Sequence, residues 1–177
     1  MSNLNKMKNI IIEKTLKLDC GKEISNFPLA YETYGNLNEK KDNAILIFHA
    51  LTGDQYASGI NPITKKEGWW NYAVGPGKSF DTDKFFVICA NVIGGCMGSY
   101  GPGTIDPLTN KPIGTNFPVI TINDMVNAQY NLLDHFKIKT LFEYDAINIT
   151  LGLPFIRISP DHGPNEKMIG KNLSNPL

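Results

Sequence analysis

The chain has no net charge: 17 lysines and arginines stand against 17 aspartates and glutamates in 177 residues. Without a basic excess there is no electrostatic footprint for nucleic acid or for an anionic membrane, and neither is expected as a partner. Cysteine is scarce and odd in number. Cys20, Cys89 and Cys96 are not spaced as a disulfide framework, which suits a reducing, cytoplasmic setting. The three histidines, His49, His135 and His162, are scattered, so no metal site is expected. No apolar run approaches membrane-spanning length. The stretch IIIEKTLKLDC after Lys6 and Lys8 is too short and too charged for a signal-peptide core. Gly-x-Ser-x-Gly, the motif that presents a serine nucleophile on a sharp strand-to-helix turn, is also missing.

What is present is a globular pattern: 42% hydrophobic and 19% charged residues, enough to bury a core. Ile10–Leu18 and Phe27–Tyr34 read as strands, separated by the turn-forming Cys20-Gly21-Lys22-Glu23. Ala44–His49 and Lys84–Asn91 are continuous apolar runs of the kind buried on both faces of a parallel sheet. Two long Gly- and Pro-rich loops follow these strands, Asp54–Ser79 and Gly94–Pro118, and long loops in compact domains tend to be functional. Thr121 is a good N-cap with Asp124 three residues on, and apolar residues recur at helical spacing from Ile122 to Phe136. Strands, loops and a covering helix predict an α/β layered sheet.

The most informative segment is AILIFHALTGD, Ala44–Asp54. A buried strand ending in a polar, Gly-containing turn can offer backbone N–H groups to an oxyanion. His49 closes that strand, either as a catalytic base or as a structural group orienting the turn. Two other motifs are decoys. Gly75-Pro76-Gly77-Lys78-Ser79 lacks the first glycine of a P-loop, which would fall at Tyr72, and no amphipathic helix follows it. Gly94-Gly95-Cys96-Met97-Gly98 matches a cysteine form of the nucleophile elbow. The following Ser99-Tyr100-Gly101-Pro102-Gly103 cannot form the helix an elbow needs, so Cys96 reads as a loop residue beside a pocket. Trp69-Trp70 either lines a pocket or covers the sheet. His135 reads as a surface residue of the last helical turn, favoured there by the helix dipole.

LAYETYGNLN (29–38), AILIFHALTGDQYASG (44–59), the segment from Gly68 to Pro107 and FPVITINDMVNAQYNLLDHFKIK (117–139) together resemble homoserine O-acetyltransferase, a family of the α/β-hydrolase fold. The resemblance runs from about residue 11 to 141. It implies the N-terminal part of that fold, with a mixed, mostly parallel sheet. It also implies acetyl transfer from acetyl-CoA, as co-substrate, through a serine to the hydroxyl of L-homoserine in methionine biosynthesis. The backbone N–H of Leu51 would be one oxyanion donor, and His49, Thr52, Gly95 and Cys96 would wall the pocket. In the family a strand and a Gly-Gly-Ser-x-Gly-Gly elbow follow the helix. Here Lys137-Ile138-Lys139-Thr140-Leu141 runs instead into Phe142-Glu143-Tyr144-Asp145. No member of the Ser-Asp-His triad can be matched.

The tail YDAINITLGLPFIRISPDHG (144–163) resembles 4-hydroxythreonine-4-phosphate dehydrogenase of pyridoxal phosphate synthesis. By that resemblance Asn148 and Arg157 match residues that contact a phosphorylated substrate, and an arginine fork suits phosphate geometry. Nothing in the chain matches that family's metal-binding histidines or NAD-binding portion. The expected organisation is therefore an acyltransferase-like region, residues 1–141, joined to a foreign tail, 142–177.

Three functional expectations follow. The first is an acyltransferase-like chain, acting in the intact family on small-molecule substrates, but here without its triad, without bound cofactor and inactive. The second places a nucleophile at Cys96. The third is a non-catalytic fusion fragment that self-associates through an exposed sheet edge.

Overall fold

The structure, a computed structural model, describes residues 7–138, 147–150 and 157–160. The chain divides into two compact units, Met1–Thr140 and Leu141–Leu177. In the first, β1 (Asn9–Ile12), β4 (Phe27–Tyr34), β5 (Ala44–Ile47) and β8 (Phe86–Ala90) form one sheet in the order β1-β4-β8-β5. β1 and β8 run antiparallel to β4, and β5 runs parallel to β8. Among the described residues the sheet is mixed, with two antiparallel pairings and one parallel where mostly parallel pairing was expected, and one α-helix accompanies it, α1 (Ile122–Phe136). This is the α/β arrangement that the alternation of strands and loops predicts.

Burial follows position in the sheet. All five residues of the interior strand β8 are buried, as its unbroken apolar run requires. β5 departs from the same expectation: Ala44, Ile45 and Leu46 are only partly buried, and Phe48, just beyond the strand, is 58% exposed. Among the described residues β5 pairs only with β8, so it is an edge strand and its apolar side chains lack a neighbour on one side. The expected single strand Ile10–Leu18 is also broken. β1 ends at Ile12, and Leu16–Lys17 (β2) turns away to pair with Glu23–Ile24 (β3). The hydrogen bond from Gly21 N–H to Leu18 O closes the turn, with Gly21 at φ 82°.

The long loops hold short elements that composition does not reveal. Val74–Gly75 (β6) pairs with Phe80–Asp81 (β7), and Ile105–Asp106 (β9) with Lys111–Pro112 (β10). Gly75–Ser79 thus leads into a strand and not into a helix, as the absent P-loop requires. α1 spans the residues that its periodicity predicts. Thr121 and Asp124 form a full capping box, and the helix stops at Lys137 in the left-handed conformation (φ 57°). Lys41 Nζ donates to Phe136 O at the C-terminal end, where positive charge is favourable.

In the second unit the described residues form one antiparallel ladder, Ile147–Thr150 (β11) with Arg157–Pro160 (β12). His162 lies outside the described residues.

Candidate functional site

The chain leaves β5 at Ile47 and turns through His49-Ala50-Leu51-Thr52-Gly53, closed by the Gly53 N–H donating to Ala50 O at 2.7 Å. Space at Gly53 is tight: a Cβ would come 3.1 Å from Ala50 O and 3.2 Å from His49 Cβ. The Leu51 side chain is 76% exposed. The backbone N–H groups of Leu51 and Thr52 have no hydrogen-bond partner among the described residues. Free N–H donors on a tight turn at the end of a strand are what an oxyanion site requires.

Polar side chains behind the turn hold it in place. His49, buried, has Nδ1 2.7 Å from Ala50 O, while Nε2 accepts the Val92 N–H at 3.3 Å and faces Asn91 Nδ2 at 3.3 Å. Asn91, which follows β8, accepts the Met97 N–H on Oδ1, and its carbonyl accepts the Ser99 hydroxyl at 2.6 Å. Ser99 Oγ in turn accepts the Ala30 N–H of β4 at 2.9 Å. A chain of buried polar groups thus joins the ends of β5 and β8 to the 94–100 loop and to β4. Buried groups satisfied in this way fix one arrangement, because each would be costly unpaired.

In front of the turn lies a cleft of about 410 Å³, within the range of small-molecule sites. Ala50, Thr52, Gly53 and Asp54 line it from the turn, and Trp69 and Trp70 from the long loop. The two tryptophans serve both expected roles. They line the cleft and pack on the core under β5 and β8, with Trp70 stacked on Phe80 at 5.2 Å. Trp69 Nε1 donates to Asp54 O at 2.9 Å. The Asp54 carboxylate accepts from Tyr56 N–H and Asn61 Nδ2, folding the loop back on itself. Tyr34 OH accepts the Ser58 N–H, and its burial raises the phenol well above its usual range.

The expected pocket residues divide. Thr52 lines this cleft; His49, Gly95 and Cys96 do not. The His49 ring is turned back toward Asn91 and Val92. Gly95 packs against Asn91, where a Cβ would lie 2.8 Å from Oδ1. Cys96 is exposed on the loop. With both its ring nitrogens engaged, His49 is not available as a base for Cys96. His135 is exposed in the last turn of α1, as expected. In the tail, the ladder places Asn148 opposite Ser159 and Arg157 opposite Thr150, two rungs apart. Among the described residues no three His, Cys, Asp or Glu side chains gather as a metal site, and no helix is long and apolar enough to cross a membrane.

Asn91 and Ser99 hold the turn and are not singled out by sequence motifs. The only signal was a polar residue placed directly after an all-apolar strand.

The chain resembles known proteins in sequence and fold. The chain is 77% identical over 140 residues to a homoserine O-acetyltransferase of Pelagibacter ubique, covering 79% of this chain and 37% of that protein. It is 58% identical over 130 residues to the homoserine O-acetyltransferase of Mesorhizobium japonicum, covering 73% of this chain and 33% of that protein. The chain therefore spans little more than a third of the length of these relatives. Among solved structures, the homoserine O-acetyltransferase from Bacillus anthracis superposes with a TM-score of 0.67 at 31% identity, over 77% of this chain and 38% of that one. An esterase superposes with a TM-score of 0.69 at 36% identity, over 77% and 39%. The family model for the pyridoxal phosphate biosynthetic protein PdxA matches residues 121–177, a range that begins at the cap of α1. The N-terminal part of this chain is thus a portion of an α/β-hydrolase fold homologous to homoserine O-acetyltransferases, and residues 121–177 match the PdxA family model.

Proposed function

We propose that the N-terminal part supplies the oxyanion-hole strand of an acyl-transfer site. That site would take acetyl from acetyl-CoA to the hydroxyl of homoserine, and the 177-residue chain by itself does not complete the transfer. The Leu51 N–H, without a partner among the described residues, carries the reading, on a turn supported by buried polar groups. A developing oxyanion needs such a donor, and losing one costs about 10²–10³ in turnover. The serine that would generate the oxyanion is not supplied, since the 177 residues contain no Gly-x-Ser-x-Gly. Oxyanion stabilisation without the nucleophile leaves only a residual effect. The PdxA-type tail supports a second reading, a non-catalytic fusion product, in which Asn148 and Arg157 retain the residue types of a phosphate site but stand alone.

The test is a graft. Residues 141–177 are replaced by the portion of the Pelagibacter ubique relative that follows the matched region, and CoA release from acetyl-CoA is followed with homoserine present. The graft is expected to turn over and the unmodified chain to remain at background. Leu51→Pro, which deletes the N–H, should lower the graft's kcat by about 10²–10³. Homoserine-dependent CoA release proportional to the amount of unmodified chain would refute the inactive reading. An unchanged kcat in Leu51→Pro would refute the oxyanion role.

A further inference from the structure

The two nitrogens of His49 face partners that select one tautomer. Val92 presents a backbone N–H, which can only donate, so Nε2 must accept. Ala50 presents a backbone carbonyl, which can only accept, so Nδ1 must carry the proton. Asn91 Nδ2, 3.3 Å from Nε2, reinforces the same choice by donating beside Val92. The Ala50 carbonyl that takes the Nδ1 proton also takes the Gly53 N–H. That carbonyl lies in the same planar peptide as the Leu51 N–H, so its orientation sets the direction of that donor. The backbone at Gly53 lies directly against this bond, where an added Cβ would sit 3.4 Å from His49 Nδ1.

We propose that His49 is a positioning residue: its neutral Nδ1–H tautomer, set by the end of β8, fixes the turn that presents the Leu51 N–H. The proposal rests on the oxyanion reading of that turn and gives His49 a role other than that of a base. A base needs a free nitrogen toward the reacting centre, and His49 has none. The arrangement follows a general pattern, in which the partner of one imidazole nitrogen dictates what the other can do. Here the dictating partner is a strand end distant in sequence, so correct pairing of β8 with β5 is read out as correct geometry of the turn.

The experiment uses the full chain with ¹⁵N-labelled histidine. Long-range ¹H–¹⁵N correlation near neutral pH should show His49 with a protonated Nδ1 and a bare Nε2. A protonated Nε2, alone or in a doubly protonated ring, overturns the proposal. Amide exchange supplies the second readout. His49→Asn keeps a donor near the Nδ1 position, and His49→Leu removes it. The Gly53 N–H should exchange about five- to tenfold faster in His49→Leu, the effect of losing one hydrogen bond, and stay within about twofold of the unmodified chain in His49→Asn. Exchange in α1 should be unchanged. Equal Gly53 exchange in all three proteins overturns the proposal, and the tautomer measurement on the unmodified chain decides it should His49→Leu not fold. Neither readout involves acyl transfer, so a failed graft enzyme and a failed positioning role remain distinguishable.

Discussion

The carboxylate of Asp124 accepts the backbone N–H of Asp19 at 2.9 Å, across 105 residues of sequence. Its other oxygen accepts the Thr121 N–H at 2.9 Å, so one buried side chain closes the N-terminus of α1 and fastens it to the β2–β3 turn. Asp19 answers from the turn, accepting the Thr121 hydroxyl and Asn123 Nδ2; these bonds hold its carboxyl below the usual range. Asp124→Ala would leave the Asp19 and Thr121 N–H groups without their acceptor and lose the reciprocal half of the capping box. A destabilisation of about 2–3 kcal/mol is expected, measured as a shift of the urea midpoint at unchanged slope. Thr121→Ala should cost about 1 kcal/mol, because the Asp124 bonds to the backbone persist.

Thiol chemistry should separate the cysteines by environment. Burial pushes the Cys89 thiol up to about 12, with Asp54 adding to the effect, whereas Cys20 and Cys96 are exposed. The thiolate is the reacting form, so iodoacetamide near pH 8 should modify Cys20 and Cys96 and spare Cys89, read by mass spectrometry of tryptic peptides. The same burial has a thermodynamic sign. The folded chain keeps the Cys89 proton above the ordinary thiol value of 9.0, where the unfolded chain releases it. Stability is therefore whole below about pH 9 and falls as pH rises toward 12. The raised Tyr34 phenol acts in the same direction. Cys89→Ala should flatten the alkaline limb of a stability-against-pH curve.

The edge of β5, unpaired among the described residues, should make the chain associate with itself. Its apolar strand carries no charge or proline between Ala44 and Ile47, and Phe48 is exposed beside it. Natural edges are usually blunted by such residues. With no net charge on the chain, copies do not repel one another near neutral pH. Light scattering coupled to size exclusion should find species larger than a monomer, and Phe48→Lys should shift the distribution toward monomer. A monomeric unmodified chain at micromolar concentration would refute the expectation.

The elements legible in the sequence were those with long, unbroken periodicity. α1 could be read to about Phe136 because the Thr121 cap and the apolar stripe agreed. Phe27–Tyr34 was legible for the same reason as a strand. The two-residue pairings inside the long loops were not, since a bridge between Val74 and Phe80 leaves no period to detect. β5 is less buried than its apolar run predicts, because such a run reports what a strand can bury and its neighbours decide what it does bury. The turn after β5 could be identified from its residues. Its support could not, because Asn91 and Ser99 reach it only through the sheet order.

That sheet order also sets a schedule. β5 pairs only with β8 among the described residues, and the His49 ring is held by Asn91 and Val92. During vectorial synthesis, residues 44–54 leave the ribosome long before the strand that fixes them. Closing that long loop must precede any gain from the contacts, which slows formation of such non-local pairs. The HALTG turn is therefore made late, and until residue 92 has emerged a nascent chain exposes an apolar strand with no native partner.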